Sequence, residues 1–575
     1  MRRILLSLLL VLTAGATACS TDEITPPAAD STPQSVGTVV EVAAADGRFA
    51  TLVTALRDTG LDAALSQPGP FTVFAPTDAA FALLPAGLVA GLSPAQLADI
   101  LRHHVVSGAF READVLGLDS APTLGGGTVR IQVSGSTVVL DGRVQITTTD
   151  VEADNGVIHV IDAVLVPGAF PGTVVDVLAA SPRFSTLAGA VGSAGLAGTL
   201  SANGPFTVLA PTDRAFGLLP SGLIGSLGGA LADVLRYHVI PGDVRASTVV
   251  TLSSATTDEG SSLAIQVDAG TVVLDGRVQV TFTDITTANG VIHVLDAVLV
   301  PGDFPGTIVD VLAASPRFST LVDAVGTAGL AGTLATDNGG AGFTVFAPTN
   351  AGFDRLPDGL LDSVAMAGDL GTVLLYHALG AEVDSAGASA ADGSTVQTLA
   401  TDPNAGGAAF LLAVDLDADQ DLFLDGRTEV TFTDIRTRNG IVHVLDSVLI
   451  PGGDFPGTLV EALGAYPRFD TLVGAVVAEG LAGAVTGVTV FAPTNDAFAG
   501  AALGGLVLAD VLAYHLLPTP KVSTALAATE TTVLGDTISI DTSMGVVINH
   551  SATVVRADIA ASDGVIHVID DVLVP

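Results

Sequence analysis

The sequence predicts an α+β fold built four times over. One phrase carries the count: "NGVIHVID" at residues 155–162 returns as "NGVIHVLD" from Asn289, "NGIVHVLD" from Asn439 and "DGVIHVID" from Asp563. Its histidines, His159, His293, His443 and His567, stand 134, 150 and 124 residues apart. That spacing exceeds the roughly 20–50 residues of solenoid repeats and lets each unit bury its own core. Within each unit helical periodicity comes first and strand alternation second, as in helices segregated onto a sheet.

The chain begins "MRRILLSLLLVLTAGATACS", with Arg2 and Arg3, an apolar stretch from Ile4 and small residues ending at Cys19. Residues 1–19 therefore read as an export signal. Cys19 is the only cysteine, so the domains are expected to hold no disulfide and no thiolate site. A lone cysteine after "ATA" resembles a bacterial lipoprotein processing site, although Ala16 stands where a larger aliphatic residue is commoner. Lipidation of Cys19 is the expectation, with ordinary secretion as the alternative. Residues 20–36, rich in Pro, Ser, Thr and Asp, read as a disordered tether.

No later run approaches the roughly 18 apolar residues of a spanning helix. A net charge of −39, with Lys521 as the sole lysine, disfavours nucleic acid and anionic membrane surfaces. Membrane contact is thus expected only through a lipid at Cys19.

Each unit opens on a helical pattern, clearest from Thr173, where Phe184, Leu187 and Val191 share a face. A strand-to-turn phrase follows: "FTVFAPTDAAF" from Phe71, "FTVLAPTDRAF" from Phe206, "FTVFAPTNAGF" from Phe343 and "VTVFAPTNDAF" from Val488. A further helix ends in "LRHHVV", "LRYHVI", "LLYHAL" or "LAYHLL". The second half alternates, as in "GTVVLDGRVQVTFTDI" from Gly270, and closes on the histidine phrase. The linkers "PGAFPGT", "PGDFPGT" and "PGGDFPGT" are short and pinned by Pro-Gly pairs, which should hold neighbouring units at similar angles. The units run over 37–167, 173–301, 307–451 and 458–575.

Together and in order, the strand-to-turn, Tyr-His and histidine phrases resemble the fasciclin domain family over nearly everything after the tether. The resemblance implies tandem domains, each a helical portion packed on a twisted β-sandwich or wedge. It implies roles in cell adhesion or extracellular matrix, often in secreted or lipid-anchored proteins, and does not imply a catalytic activity; no cofactor is expected. Cell-surface receptors, matrix proteins and polysaccharides are the partners it implies. The expected function is a multivalent, non-enzymatic adhesion array at the cell surface. A structural envelope spacer is the alternative, and an enzyme acting on polysaccharides or esters ranks below both: no carboxylate pair recurs near the motifs and no "GxSxG" elbow with suitable partners is present.

Eight of the ten histidines occupy two positions per unit. His104, His159 and Asp78 could form a His₂-carboxylate metal or acid–base site. However, Asp78 and Asp213 become Asn350 and Asn495 in the later units, and asparagine is no general base. What Asp and Asn share is helix capping, expected here for the helix that begins at the phrase. Alternation places Val157, His159, Ile161 and Leu165 on one face of the last strand and Ile158, Val160, Asp162 and Val164 on the other, both mostly apolar. His104, His159, His293, His443 and His567 are therefore expected to be structural, with a neutral imidazole bridging two backbone segments.

By the resemblance, the Tyr-His region is implicated in receptor binding in animal members, which makes Tyr237, His238, Tyr376, His377, Tyr514 and His515 candidates for surface recognition. The first unit has His103-His104 there instead. The third unit carries an acidic insertion whose Asp415, Asp417, Asp419 and Asp421 form a weak calcium candidate, lacking the loop glycine (Gln420) and the terminal glutamate (Gly426). No other metal site is expected.

Overall fold

A computed structural model describes residues 36–202, 204–226, 230–361, 370–402, 405–417, 419–451, 455–543 and 545–575. The export signal, Cys19 and tether residues 20–35 lie outside the described residues.

In the first domain, strands β1 (Phe71–Pro76), β2 (Val105–Ser107), β3 (Ser120–Pro122), β4 (Thr128–Ser134), β5 (Thr137–Leu140), β6 (Val144–Ala153) and β7 (Gly156–Ile161) join in the order β2-β1-β7-β6-β5-β4-β3. The other three domains repeat this order. The two recurrent phrases become β1 and β7, which pair in parallel with Phe74 opposite His159. Both strands are apolar on both sides because both faces are covered, as parallel pairing requires.

Helices cover one face: α1 (Val39–Asp46), α2 (Ala50–Asp58), α3 (Leu61–Leu65), α4 (Asp78–Ala82), α5 (Leu88–Gly91) and α6 (Pro94–His103), followed by α7 (Glu112–Val115). Thr38 and Glu41 close a capping box on α1, and Ser93 and Gln96 do so on α6. Leu52, Val53 and Leu56 of α2 pack with Val73, Ala75, Ile158 and Val160. Each such side chain contributes about 1.5–3 kcal/mol on burial. The opposite face is covered by the sheet itself. Register shifts in β6 bend it, so that Val129, Ile131 and Leu140 close over Phe74, Ile161 and Leu165. Each domain thus has two cores separated by β1 and β7 or their counterparts.

The domains dock through a junction built three times. Asp141-Gly142 turns between β5 and β6 with φ of 47° and 70°, a left-handed turn that suits tight hairpins. An aromatic knob of the next domain covers its glycine: a Cβ on Gly142 would sit 2.5 Å from Phe282, and one on Gly276 2.4 Å from Phe432. At the third junction Arg556 covers Gly426 in the same way. The "PRF" turn of the following domain donates to the same glycine: Arg183 to Gly142 O at 2.5 Å, Arg317 to Gly276 O at 2.7 Å and Arg468 to Gly426 O at 2.9 Å. The linkers are docked as well. Phe170, Phe304 and Phe455 are buried and donate their N–H to Thr286 O, Arg436 O and Ala560 O at 2.7–2.8 Å.

The fourth domain lacks the "LDGR" sequence but not the turn. Asn549 and His550 take φ of 49° and 60° there, and Ser551 replaces the arginine of the other three. The first domain carries Thr148 at the knob position.

Candidate functional site

The eight repeated histidines sit on the two elements that sequence repetition marks most strongly, and each of these imidazoles is engaged by the backbone. His104 ends α6, donating from Nδ1 to Ile100 O at 2.8 Å and accepting at Nε2 from Leu165 N at 3.0 Å. His238, His377 and His515 repeat this with Val234 and Leu299, Val373 and Leu449, and Val511 and Leu573. Burial pushes His104 down to about 3, helped by the neighbouring Arg143 guanidinium, and the other three to about 4.

The strand histidines use the opposite tautomer. His159 donates from Nε2 to Phe110 O at 2.8 Å and accepts at Nδ1 from Asp150 N at 3.4 Å. His293, His443 and His567 bridge Val244 and Asp284, Val383 and Asp434, and Lys521 and Asp558. Burial lowers all four. Phe74, Phe346 and Phe491 stack on three of them at 5.6–5.8 Å.

His104, His159 and Asp78 therefore do not converge; each has its own backbone partners. Asp78 lies at the start of α4, but Thr77 caps that helix by accepting from Ala80 N. The Asp78 carboxylate instead accepts from Thr51 N at 2.7 Å, capping α2, and hydrogen bonding from the Thr51 side chain and then its backbone lowers its pKa. Asp213, Asn350 and Asn495 do the same through Thr186, Thr320 and Thr471. The cap is real but belongs to the neighbouring helix, because Thr, one position earlier, is better placed for the local one.

The Tyr-His pairs are a correction to the surface reading. Tyr237, His238, Tyr376, His377, Tyr514 and His515 are all 1–5% exposed. Each tyrosine points to the β5–β6 turn of its domain: Tyr237 donates to Asp275 Oδ2 at 2.9 Å and Tyr376 to Asp425 Oδ2 at 2.8 Å, while Asn549 donates to Tyr514 at 3.0 Å. They tie the helix end to that turn, on which the next domain docks in the second and third domains.

The calcium candidate does not assemble: Asp417 Oδ1 accepts from Asp419 N and Asp421 N, and among the described residues no group of three or more His, Cys, Asp or Glu is placed to hold a metal ion. Asp415 faces the third junction, where Arg468 lies over the Phe423 ring at 3.6 Å. Burial pushes Asp415 and Glu429 up there, and Asp446 up to about 7.

Two roles escaped the sequence reading. Asn155 accepts from Val39 N and donates to Leu65 O and Gln67 O, pinning α1 and α3 to the start of β7. Thr72, fully buried, links Gly108 O and Phe110 N. The signal for both was their repetition inside the quoted phrases.

The Fasciclin domain model matches residues 47–167, 182–301, 316–451 and 467–575. The chain is 29% identical over 538 residues to transforming growth factor-beta-induced protein ig-h3 of Sus scrofa, covering 89% of this chain and 74% of that protein. It is 47% identical over 132 residues to protein sll1735 of Synechocystis sp., covering 23% of this chain and 98% of that one. Among solved structures, a FAS1 domain pair from the insect cell adhesion molecule Fasciclin I aligns at 20% identity and a TM-score of 0.27, covering 44% of this chain and 98% of that one.

Proposed function

The chain belongs to the fasciclin domain family, and from that premise we propose that it is a non-enzymatic adhesion protein presenting four domains in fixed register to a matrix or cell-surface partner. One observation carries this reading: the same junction is built three times, so the four domains are held as a series rather than strung on free linkers. Linked sites gain avidity of roughly 10²–10⁴-fold only when their spacing can match the target, and docking fixes the spacing. The repeated histidines support the reading by being occupied, since a buried, doubly bonded neutral imidazole is a strut rather than a base. Lipidation of Cys19 would place the array at the cell surface behind its tether. No helix among the described residues is long and apolar enough to cross a membrane.

The test compares binding of the chain from Ser20 with that of the isolated second domain, residues 173–301, which has its own two cores. Targets are matrix proteins, neutral and acidic polysaccharides and intact cells, with and without calcium. Binding that rises at least a hundredfold from one domain to four supports a multivalent adhesin. Equal, negligible binding by both favours an envelope spacer, which the docked junctions would serve equally well.

A further inference from the structure

The three junctions are not equivalent beneath their linkers. At the second, a cavity of about 170 Å³ is lined by Tyr237, Asp275, Arg277 and Phe304, and its polar groups are satisfied: the phenol donates to Asp275 and Arg277 donates to Val298 O at 3.0 Å. At the first, the corresponding cavity is about 290 Å³. There His103 stands in place of the tyrosine and falls short of the turn. His103 Nε2 stays 3.7 Å from Asp141 Oδ2, while its Nδ1 is engaged by Thr123 Oγ1 at 3.2 Å.

Arg143 forms one wall. The residue is 3% exposed, and its guanidinium lies 5.6 Å from the centre of the Phe170 ring, with no hydrogen-bond partner among the described residues. The carboxylates of Asp141 and Asp162 are near enough to favour its charge, yet both are bonded elsewhere: Asp141 accepts from Arg130 N at 2.9 Å and Asp162 from Gln145 N at 2.7 Å. Burial pulls Arg143 down to about 10, so it remains a cation at neutral pH. A second guanidinium, that of Arg130, lies on the same cavity, stacked 3.7 Å over Phe282 and donating to Thr283 O at 3.1 Å. A buried cation whose donors face open space is costly unless an acceptor occupies that space, and a guanidinium fork matches a carboxylate bidentately.

We propose that the cavity between the first and second domains binds a compact carboxylate of about the size of one sugar ring, a uronate being the fitting class, with Arg143 gripping the carboxylate and His103 leaving room for the ring. The ligand is a terminal residue of an acidic polysaccharide or a free sugar acid; the chemistry is the same for both.

The experiment is calorimetric titration of the chain from Ser20 with glucuronate, glucose and a short oligouronate, on the wild type and on His103→Tyr and Arg143→Gln. His103→Tyr installs the residue that the other three domains carry, so its fold is expected to persist, and it narrows the cavity towards the roughly 170 Å³ of the second junction while placing a phenol against Asp141. Saturable glucuronate binding, at least tenfold weaker in both variants and absent for glucose, supports the site. Oligouronate binding with the same variant sensitivity then points to a polysaccharide end, and binding of the monomer alone to a free sugar acid. The proposal is overturned if glucuronate does not bind saturably, if glucose binds equally well, or if His103→Tyr binds within twofold of wild type.

Discussion

Replacing His238 by glutamine separates the two things its imidazole does, making a bridge and refusing a proton. The ring is 2% exposed, donates to Val234 O at 2.8 Å and accepts from Leu299 N at 3.0 Å. Near pH 7 the substitution breaks this geometry and leaves one or both buried partners short of a bond, a loss of about 1–3 kcal/mol. The pH dependence has a definite sign. Folding depresses the His238 pKa from 6.5 to about 4, so between those values the unfolded chain takes up a proton that the folded domain refuses. The stability tied to the neutral ring is complete above pH 6.5 and is lost as pH falls through 4, at about 1.4 kcal/mol per unit and about 3 kcal/mol in total. Glutamine does not titrate, so the penalty for His238→Gln should shrink on acidification and vanish or reverse near pH 4.5. Wild type alone would hide the effect. Asp296 in the same domain is pushed up to about 6 by burial, and a raised carboxyl gains stability as pH falls, by a similar amount. Native-state hydrogen exchange of the segment holding the Leu299 amide, corrected for intrinsic rates at pH 7 and 4.5, measures the difference directly. An equal penalty at both values would refute the neutral bridge.

Asp78→Ala should destabilise the first domain through loss of the α2 cap, and Asp78→Asn by less, since Asn350 and Asn495 fill the same role; urea melts of the two variants rank them. Phe282→Ala should cost about 3–5 kcal/mol, lost from the second domain's own core as well as from the first junction because Phe282 packs in both, seen as a lowered melting of the second domain together with a larger radius of gyration in solution scattering. Tyr376→Phe should cost about 1 kcal/mol by stranding the buried Asp425 carboxylate, read as faster exchange in the turn at Gly426.

The repeat count, the helix-then-sheet order and the partition of β7 into two apolar faces were legible because period and burial are local signals. Ile158 and Val160 face the helices while Ile161 and Leu165 face the curled sheet, the division that alternation predicts. The tyrosines were not legible. Adjacency on a helix end says that Tyr237 and His238 point apart, but not that one meets the inner core and the other a turn some forty residues away. Asp78 misled for a related reason: capping preference is a property of the residue, whereas the helix it caps is set by tertiary packing. The junctions left a faint trace, since "DGR" recurs in three units and the phenylalanine of "TFTD" in two, at Phe282 and Phe432. Only the structure shows that a glycine in one unit and an aromatic in the next are two halves of one contact.

That pairing also sets a grammar for changing the length of the protein. The second domain carries both halves, Gly276 with Arg277 on its trailing edge and Phe282 on its leading edge. A tandem duplication of this domain would meet itself with complementary surfaces, adding one module without inventing an interface. A copy of the first domain inserted at the same place would set Thr148 against a glycine turn shaped for an aromatic ring. Recombination among the repeats can therefore lengthen or shorten the series through its internal members, while the first domain is confined to the position it holds.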